Sequence, residues 1–260
     1  MLNKIIAELT PVYGFCRFSD IKEQLLDCRA AKRLPEEAES VIVMLFPYYL
    51  GEEKYTDCNI SRYAVVPDYH LAIGNVVLPA LERLREHYPN EKFEFFTDSS
   101  PIPEVKAALL AGLGVMGKNR LLINKEYGSW FFISEIVTTM KLPVCEPIES
   151  QCLNCGKCIA ACPTHAISDD GFDKALCLSD ITQRKGSLTE EQIQLIKKSG
   201  CAWGCDICQN VCPMNKSIKI KPSEIFLNGI EMTARTDNIS DRAYAWRGKR
   251  VIERNLKILE

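Results

Sequence analysis

The chain has 260 residues, 47% of them hydrophobic and 25% charged, the balance of a folded globular protein and not of a disordered or fibrous one. That length suits one large domain or two of ordinary size. A formal net charge of −2 gives no global attraction to nucleic acid or to an anionic membrane, so any RNA contact needs a local basic patch.

The N-terminal segment "MLNKIIAELTPVYGF" has neither the long apolar core of a signal peptide nor a small-residue cleavage site. The most apolar run, "VIVMLFPYYL", is too short to span a bilayer and contains Pro47. The expectation is a cytoplasmic protein with no membrane contact.

Residues 1–143 read as an α/β domain. "SVIVMLF" (40–46) is a short apolar run before a proline, as in a buried strand. "VVLPALERLREHY" (76–88) places Val77, Leu81, Leu84 and Tyr88 on one stripe of a helix. "KFEFFT" (92–97) alternates like a strand, and "PEVKAALLAGLG" (103–114) predicts a helix ending in glycines. "RLLIN" and "WFFISEIV" predict two more strands around a "KEYGS" turn. Beyond Pro143 the pattern changes to cysteine-rich loops over 144–222, with one clear helix, "TEEQIQLIKKSG" (189–200). Thr189 and Gln192 form a capping-box pair there, and Gly200 ends it. Residues 223–260 form a tail whose last twenty residues, six Lys or Arg against three Asp or Glu, predict a basic helix.

Two motifs in the first half invite a cofactor reading. "GLGVMG" (112–117) has the letters of the dinucleotide fingerprint, but a helix precedes it and a strand follows. The fingerprint needs the opposite polarity, because a helix N-terminus must face the pyrophosphate. "DYHLAIG" (68–74) approaches D-x-H-x-x-G, the loop that supplies a His ligand to cobalt in methionine-synthase-like cobalamin domains, with one residue too many. His70 is then either an ordinary hydrogen-bonded side chain or a cofactor contact.

Of thirteen cysteines, nine fall from Cys152 to Cys212. With no export signal, reduced thiols are expected, not a disulfide framework. Cys16, Cys28, Cys58 and Cys145 read as small buried hydrophobes. "CLNCGKCIAACP" (152–163) is C-x2-C-x2-C-x3-C-P, in which three cysteines hold one [4Fe–4S] cluster and the Cys-Pro serves a second. A zinc site would use two C-x2-C pairs and would leave the third Cys and the Cys-Pro unexplained. Cys152, Cys155 and Cys158 therefore need a distant fourth ligand, and Cys212 is the symmetric choice. Cys162 joins Cys205 and Cys208, leaving one ligand to find. A plain two-cluster ferredoxin would place it at 202, which is Ala202; Cys177 and Cys201 are both candidates, and spacing does not separate them. Two adjacent clusters serve electron transfer, or else staple the fold.

Taken in order, "RLPEEAESVIVMLFPY", "ISRYAVVPDYH", "FFTDSSPIPEVKAALLAGLGVMGKNRLLINKEYGSWFFISEI", "CLNCGKCIAACPTHAI", "CLSDITQRKG" and "GCDICQNVCPMN" resemble the epoxyqueuosine reductases over roughly residues 33–215. The resemblance implies a nitroreductase-like domain that holds cobalamin without a His ligand to cobalt, followed by a two-cluster ferredoxin-like domain that reduces it. The implied product is queuosine in tRNA, and the implied electron donor is a low-potential flavodoxin- or ferredoxin-like protein. Matched position by position, Cys177 becomes the last ligand of the second cluster and Cys201 a spare thiol. Asp98 in "TDSSP" matches the proton-donating aspartate. Arg62, Tyr63, Asp68, His70, Lys118, Asn119, Ser129, Trp130 and Phe132 match segments around the cobalamin, with Asp98 among them. Burial beside an apolar corrin is expected to raise the Asp98 pKa and keep it protonated; the alternative role for Asp98 is a helix N-terminal cap. In the family, helical repeats that grip tRNA usually follow the clusters, and "AWRGKRVIERNLKIL" resembles their start, so a short form is expected. An electron-transfer protein without a substrate of its own, or a cobalamin-dependent reductase of a small molecule, is the alternative function.

Overall fold

The computed structural model describes residues 1–216, 218 and 221–260. The chain opens with helix α1 (Leu2–Leu9) and strand β1 (Tyr13–Arg17), then lays down the centre of a sheet, β2 (Ser40–Pro47). Every residue of β2 is buried, because both faces of the sheet are covered, and this is why its sequence is continuously apolar. Val41, Val43 and Leu45 enter one core; Ile42, Met44 and Phe46 enter the other.

A short helix α2 (Arg62–Val65) leads into α3 (Tyr69–His87). Helix α3 begins seven residues before its expected start, since the Asp68 carboxylate caps it by accepting the His70 N–H at 3.0 Å. Strand β3 (Phe93–Phe96) and helix α4 (Glu104–Leu110) follow, then a small hairpin of β4 (Val115–Met116) and β5 (Leu122–Ile123), and last β6 (Phe131–Thr138). Helix α4 stops before its expected end because Gly112 turns left-handed, with φ +70°. The antiparallel sheet has the order β1-β2-β6-β3, with Phe46 opposite Phe132 and Phe95 opposite Ile136. Helices α1 and α3 cover one face through Leu2, Ile5, Val77 and Leu84, and α4 covers the other through Ala107, Ala108 and Ala111. "GLGVMG" lies between α4 and β5 with β4 inside it, the reversed polarity expected from the sequence.

The cysteine-rich half carries α5 (Lys157–Ala161), α6 (Leu178–Gln183), α7 (Glu190–Ser199) and α8 (Ile207–Asn210). Helix α7 has both capping-box bonds between Thr189 and Gln192, and Gly200 ends it at φ +66°. The expected C-terminal helix is shorter than read: α9 spans Lys249–Leu259, and the residues before Gly248 form 3-10 turns. Nor is its basic face all free. Arg242 is fully buried near Glu231, and Arg254 donates to the carbonyls of Arg184 and Gly186 at 2.8 and 2.7 Å.

The two halves are stitched by backbone. Ser61 N–H donates to Trp203 O at 2.7 Å and Ala202 N–H to Asn59 O at 2.6 Å. The chains run so close that a Cβ on Gly204 would lie 2.4 Å from the Ser61 Cβ. Among the described residues no helix is long and apolar enough to cross a membrane.

Candidate functional site

The cysteines sort into two groups by folding of the loops that carry them. Asn154 and Gly156 both adopt left-handed backbone (φ +52° and +68°), which curls the segment from Cys152 into α5. Cys152, Cys155 and Cys158 thereby line one recess together with Cys212, which arrives from beyond α8. Cys162 at the end of α5, Cys177 at the start of α6, and Cys205 and Cys208 around α8 line a second. The pairing follows from α5 packing on α8, which exchanges the last cysteine of each run. Cys201 lines neither recess; its thiol donates to the Trp203 and Gly204 carbonyls at 3.2 and 3.4 Å. Among the described residues no three His, Cys, Asp or Glu side chains converge closely enough for a single metal ion, whereas a cubane holds its four thiolates around a larger body. The two four-thiol recesses fit clusters.

The second recess opens into a cavity walled by Tyr63, Asn119, Leu121, Ser129, Phe131 and Phe132. Leu121, Ser129, Phe131 and Phe132 also wall an adjoining cavity, whose other side holds Tyr69, Asp98 and Glu104. One set of side chains thus separates the Cys162 group from Asp98. Strand β6 and the turn before it set these walls. Ser129 N–H donates to Asn215 Oδ1 at 2.8 Å and Ser129 Oγ to Gln209 Oε1 at 2.9 Å, which ties the turn to the cysteine-rich half. Asn119 lines both recesses and hydrogen-bonds the Cys208 thiol.

Three residues expected around the cofactor line neither of these two cavities. Arg62 is buried, and its guanidinium sits over Tyr49, Tyr55 and Trp130 at 5.6, 4.9 and 4.7 Å from the ring centroids. It also bonds Glu52, at 2.6 Å, and Asn210. Bonded to Glu52 on one side and Asn210 on the other, Arg62 is a clamp between the halves. Trp130 stacks on Tyr49 at 5.3 Å behind the cavity wall. Lys118 pairs with Asp169 beside the Cys152 group.

Asp98, Asp68, His70 and Phe132 do come together. Asp68 Oδ1 meets His70 Nδ1 at 2.8 Å, and His70 Nε2 faces Asp98 Oδ2 at 3.5 Å. Tyr69 donates its hydroxyl to the same Asp98 oxygen at 2.7 Å, and its ring stacks on Phe132 at 4.1 Å. His70 hydrogen-bonding holds the Asp98 carboxyl down at about 2, ahead of the opposing effect of burial. Burial works against a charge on His70, but the bonds to Asp68 and Asp98 outweigh it and raise its pKa to about 9. In this structure the Asp98 carboxyl is thus held below its ordinary value and the His70 imidazole above its own, the opposite direction to the one expected for Asp98 beside a corrin, because a hydrogen-bonded partner outweighs desolvation. Nor does Asp98 cap a helix; Pro103 stands at the start of α4.

Sequence reading missed two acids that matter to this site. Glu104, five residues after Ser99 in "SSPIPE", accepts the Asp98 backbone N–H at 3.0 Å. Asp206 in "GCDIC" accepts from Ser61 Oγ at 2.5 Å and from the Arg62 N–H at 2.7 Å. Asp206 lies inside a quoted motif, but nothing in its spacing distinguishes it from a solvated loop residue.

Two family models match: "Epoxyqueuosine reductase QueG, DUF1730" over residues 29–99, and "4Fe-4S double cluster binding domain" over residues 151–215. The second makes two [4Fe–4S] clusters the cofactors of the cysteine groups. An epoxyqueuosine reductase of Lactococcus garvieae is 32% identical over 259 residues, 92% of this chain and 73% of that protein. Those of Aliivibrio fischeri and Cyclobacterium marinum are 40% and 36% identical over 62% and 75% of this chain, and the matches span 43% and 64% of their own lengths. The solved structure of the Streptococcus thermophilus epoxyqueuosine reductase shares the fold, with a TM-score of 0.79 at 23% identity over 99% of this chain and 79% of that one.

Proposed function

On the premise that this chain belongs to the epoxyqueuosine reductase family, a family of oxidoreductases, we propose that it is a cobalamin-dependent reductase of epoxyqueuosine in tRNA. Electrons pass through two [4Fe–4S] clusters to the cofactor. The observation that carries this reading is the shared wall of Leu121, Ser129, Phe131 and Phe132, with cluster thiols on one side and the Asp98 site on the other. A solved epoxyqueuosine reductase carries an epoxyqueuosine-modified tRNA-Tyr stem loop, which supports tRNA as the substrate. In the Bacillus subtilis enzyme an aspartate catalytic loop is swung out of the active site, and Asp98 also sits on a loop.

Tyr63, Asn119, Ser129 and Phe132 are the residues that would hold the corrin. Both ring nitrogens of His70 already face carboxylates, which fits a cobalamin bound without a His ligand. When bound, cobalamin supplies a strongly reducing nucleophile, which needs electrons from the low end of the iron–sulfur range, about −700 mV at its limit. Electrons enter at the Cys152 group, where Cys155 is exposed, from a low-potential donor protein, and reach the cavity through the Cys162 group. Opening an epoxide leaves an alkoxide that must be protonated. Here the mobile proton rests on His70 Nε2 and reaches the substrate oxygen through Asp98 Oδ2, a general-acid contribution of about 10²- to 10⁴-fold. Asp68 holds the imidazole by its other nitrogen.

The test is anaerobic reconstitution with iron and sulfide, followed by cobalamin and epoxyqueuosine-containing tRNA under a low-potential reductant. The expected results are a base-off cobalamin spectrum and formation of queuosine. Failure to bind cobalamin at micromolar concentration would leave an electron carrier in place of this reading.

A further inference from the structure

Asp98 and Ser99 both have left-handed backbone, at φ +44° and +34°. Two such residues in succession, neither of them glycine, form a strained turn that persists only if its surroundings hold it. Part of the hold is internal, as the Asp98 carboxylate accepts the Ser99 N–H at 2.8 Å. The rest comes from α4. Glu104 in its first turn reaches back and accepts the Asp98 N–H at 3.0 Å, while lining the same cavity as the Asp98 side chain.

We propose that Glu104 is the positioning residue of this site, holding the Asp98 carboxylate in the cavity through the Asp98 backbone N–H with a strength set by its own ionisation. This rests on the reading of Asp98 as the group that serves the substrate. The titratable groups around Glu104 are Asp98 on the turn, Tyr69 and His70 from α3, and Glu135 from β6. Burial first, and then the Asp98 charge, raise the Glu104 carboxyl to about 7, with His70 pulling the other way. Glu135 lies on the same sheet face as Phe131 and Val137, under α4, fully buried and with neither carboxyl oxygen hydrogen-bonded among the described residues. Burial first, and then the Glu104 and Asp98 charges, push its carboxyl well above the usual carboxylate range, which disfavours a further negative charge beside Glu104. Of these groups only Glu104 changes charge near neutrality. Ionised, its carboxylate is the stronger acceptor for the Asp98 N–H, because charge-assisted hydrogen bonds are the stronger kind.

The test uses the reconstituted holoprotein labelled with 15N-aspartate. The Asp98 amide proton is expected to shift through an inflection near pH 7 in the native chain and to lose that inflection in Glu104→Gln, which keeps the side-chain shape and a carbonyl acceptor and whose fold is checked by the rest of the amide spectrum. Turnover in Glu104→Ala, which has no acceptor, is expected to fall on the order of 10- to 100-fold in kcat with KM little changed, as for a misplaced catalytic group. Glu104→Gln should keep most of the turnover and lose the pH dependence near 7. An Asp98 amide without an inflection between pH 5.5 and 8.5, or one that keeps it in Glu104→Gln, would overturn the proposal. The amide titration decides this without substrate, so a native chain inactive on epoxyqueuosine tRNA counts against the proposed activity alone.

Discussion

Replacing Asp98 by Asn removes one of the two carboxylates that hold His70 as a cation. His70 rises from an ordinary 6.5 to about 9, which unscreened would correspond to ~3 kcal/mol. The ring is 35% exposed and the Asp98 side chain 56% exposed, so solvent screening reduces this to about 1–2 kcal/mol. Asp68, at 2.8 Å from Nδ1, carries the larger share, and Asp98, at 3.5 Å from Nε2, the smaller. Asp98→Asn is therefore expected to lower the His70 pKa by about one pH unit. The chain has three histidines, so a 13C-histidine-labelled sample gives three titration curves, and His70 is the one that moves in the variant. Because His70 is raised on folding, its stabilisation is complete below pH 6.5 and is lost as pH rises through about 9. Asp98 is lowered, so its share is present above pH 3.8 and is lost as pH falls through about 2. A native His70 that titrates at its ordinary value, or one that Asp98→Asn leaves unmoved, would refute the ion pair and with it the proton route through His70.

The cluster ligands can be separated by iron analysis. Cys177→Ser should drop anaerobically reconstituted protein from about eight irons to about four, while Cys201→Ser keeps about eight; the reverse pattern would make Cys201 the ligand. Arg62→Ala empties a buried aromatic cage and leaves Asn210 without its donor, at an expected cost of about 2–4 kcal/mol. A variant that melts like the native chain would show that Arg62 is no clamp. Gly128 has φ +57°, and a Cβ there would lie 2.2 Å from Asn215 Oδ1 and 2.3 Å from Ile218 Cδ1. Gly128→Ala should cost about 1–3 kcal/mol in strain alone and lower the melting temperature; no change would mean that the Ser129–Asn215 junction yields freely.

The sheet and most helices could be read from local pattern, because burial on two faces makes β2 continuously apolar and on one face makes α3 striped. Element ends were less legible. The start of α3 depends on the Asp68 carboxylate turning inward to cap it, and the length of α9 on the backbone of Gly248, with φ +84°. Both are choices between local conformations that packing makes. The cofactor segments show the same division. Matching by segment put Arg62, Trp130 and Lys118 beside the cavity, yet only alternate or neighbouring residues of each segment can face it, and Tyr63, Asn119, Ser129 and Phe132 do so.

What the sequence determined by itself was chemistry written in short spacing. Seven cysteines in two runs, with two or three residues between neighbours and a Cys-Pro ending each run, mark two cubane clusters, so cluster type and number can be read from spacing even though the eighth ligand cannot. Tertiary structure decided what depends on residues far apart. It brought Cys177 and not Cys201 to the Cys162 group, since the loop before α6 reaches the recess and the Cys201 thiol turns to backbone carbonyls. It also decided the direction in which the Asp98 carboxyl is shifted. A pKa is set by neighbours within a few ångströms, and His70, twenty-eight residues away in sequence, meets that carboxylate only once α3 has packed against the sheet.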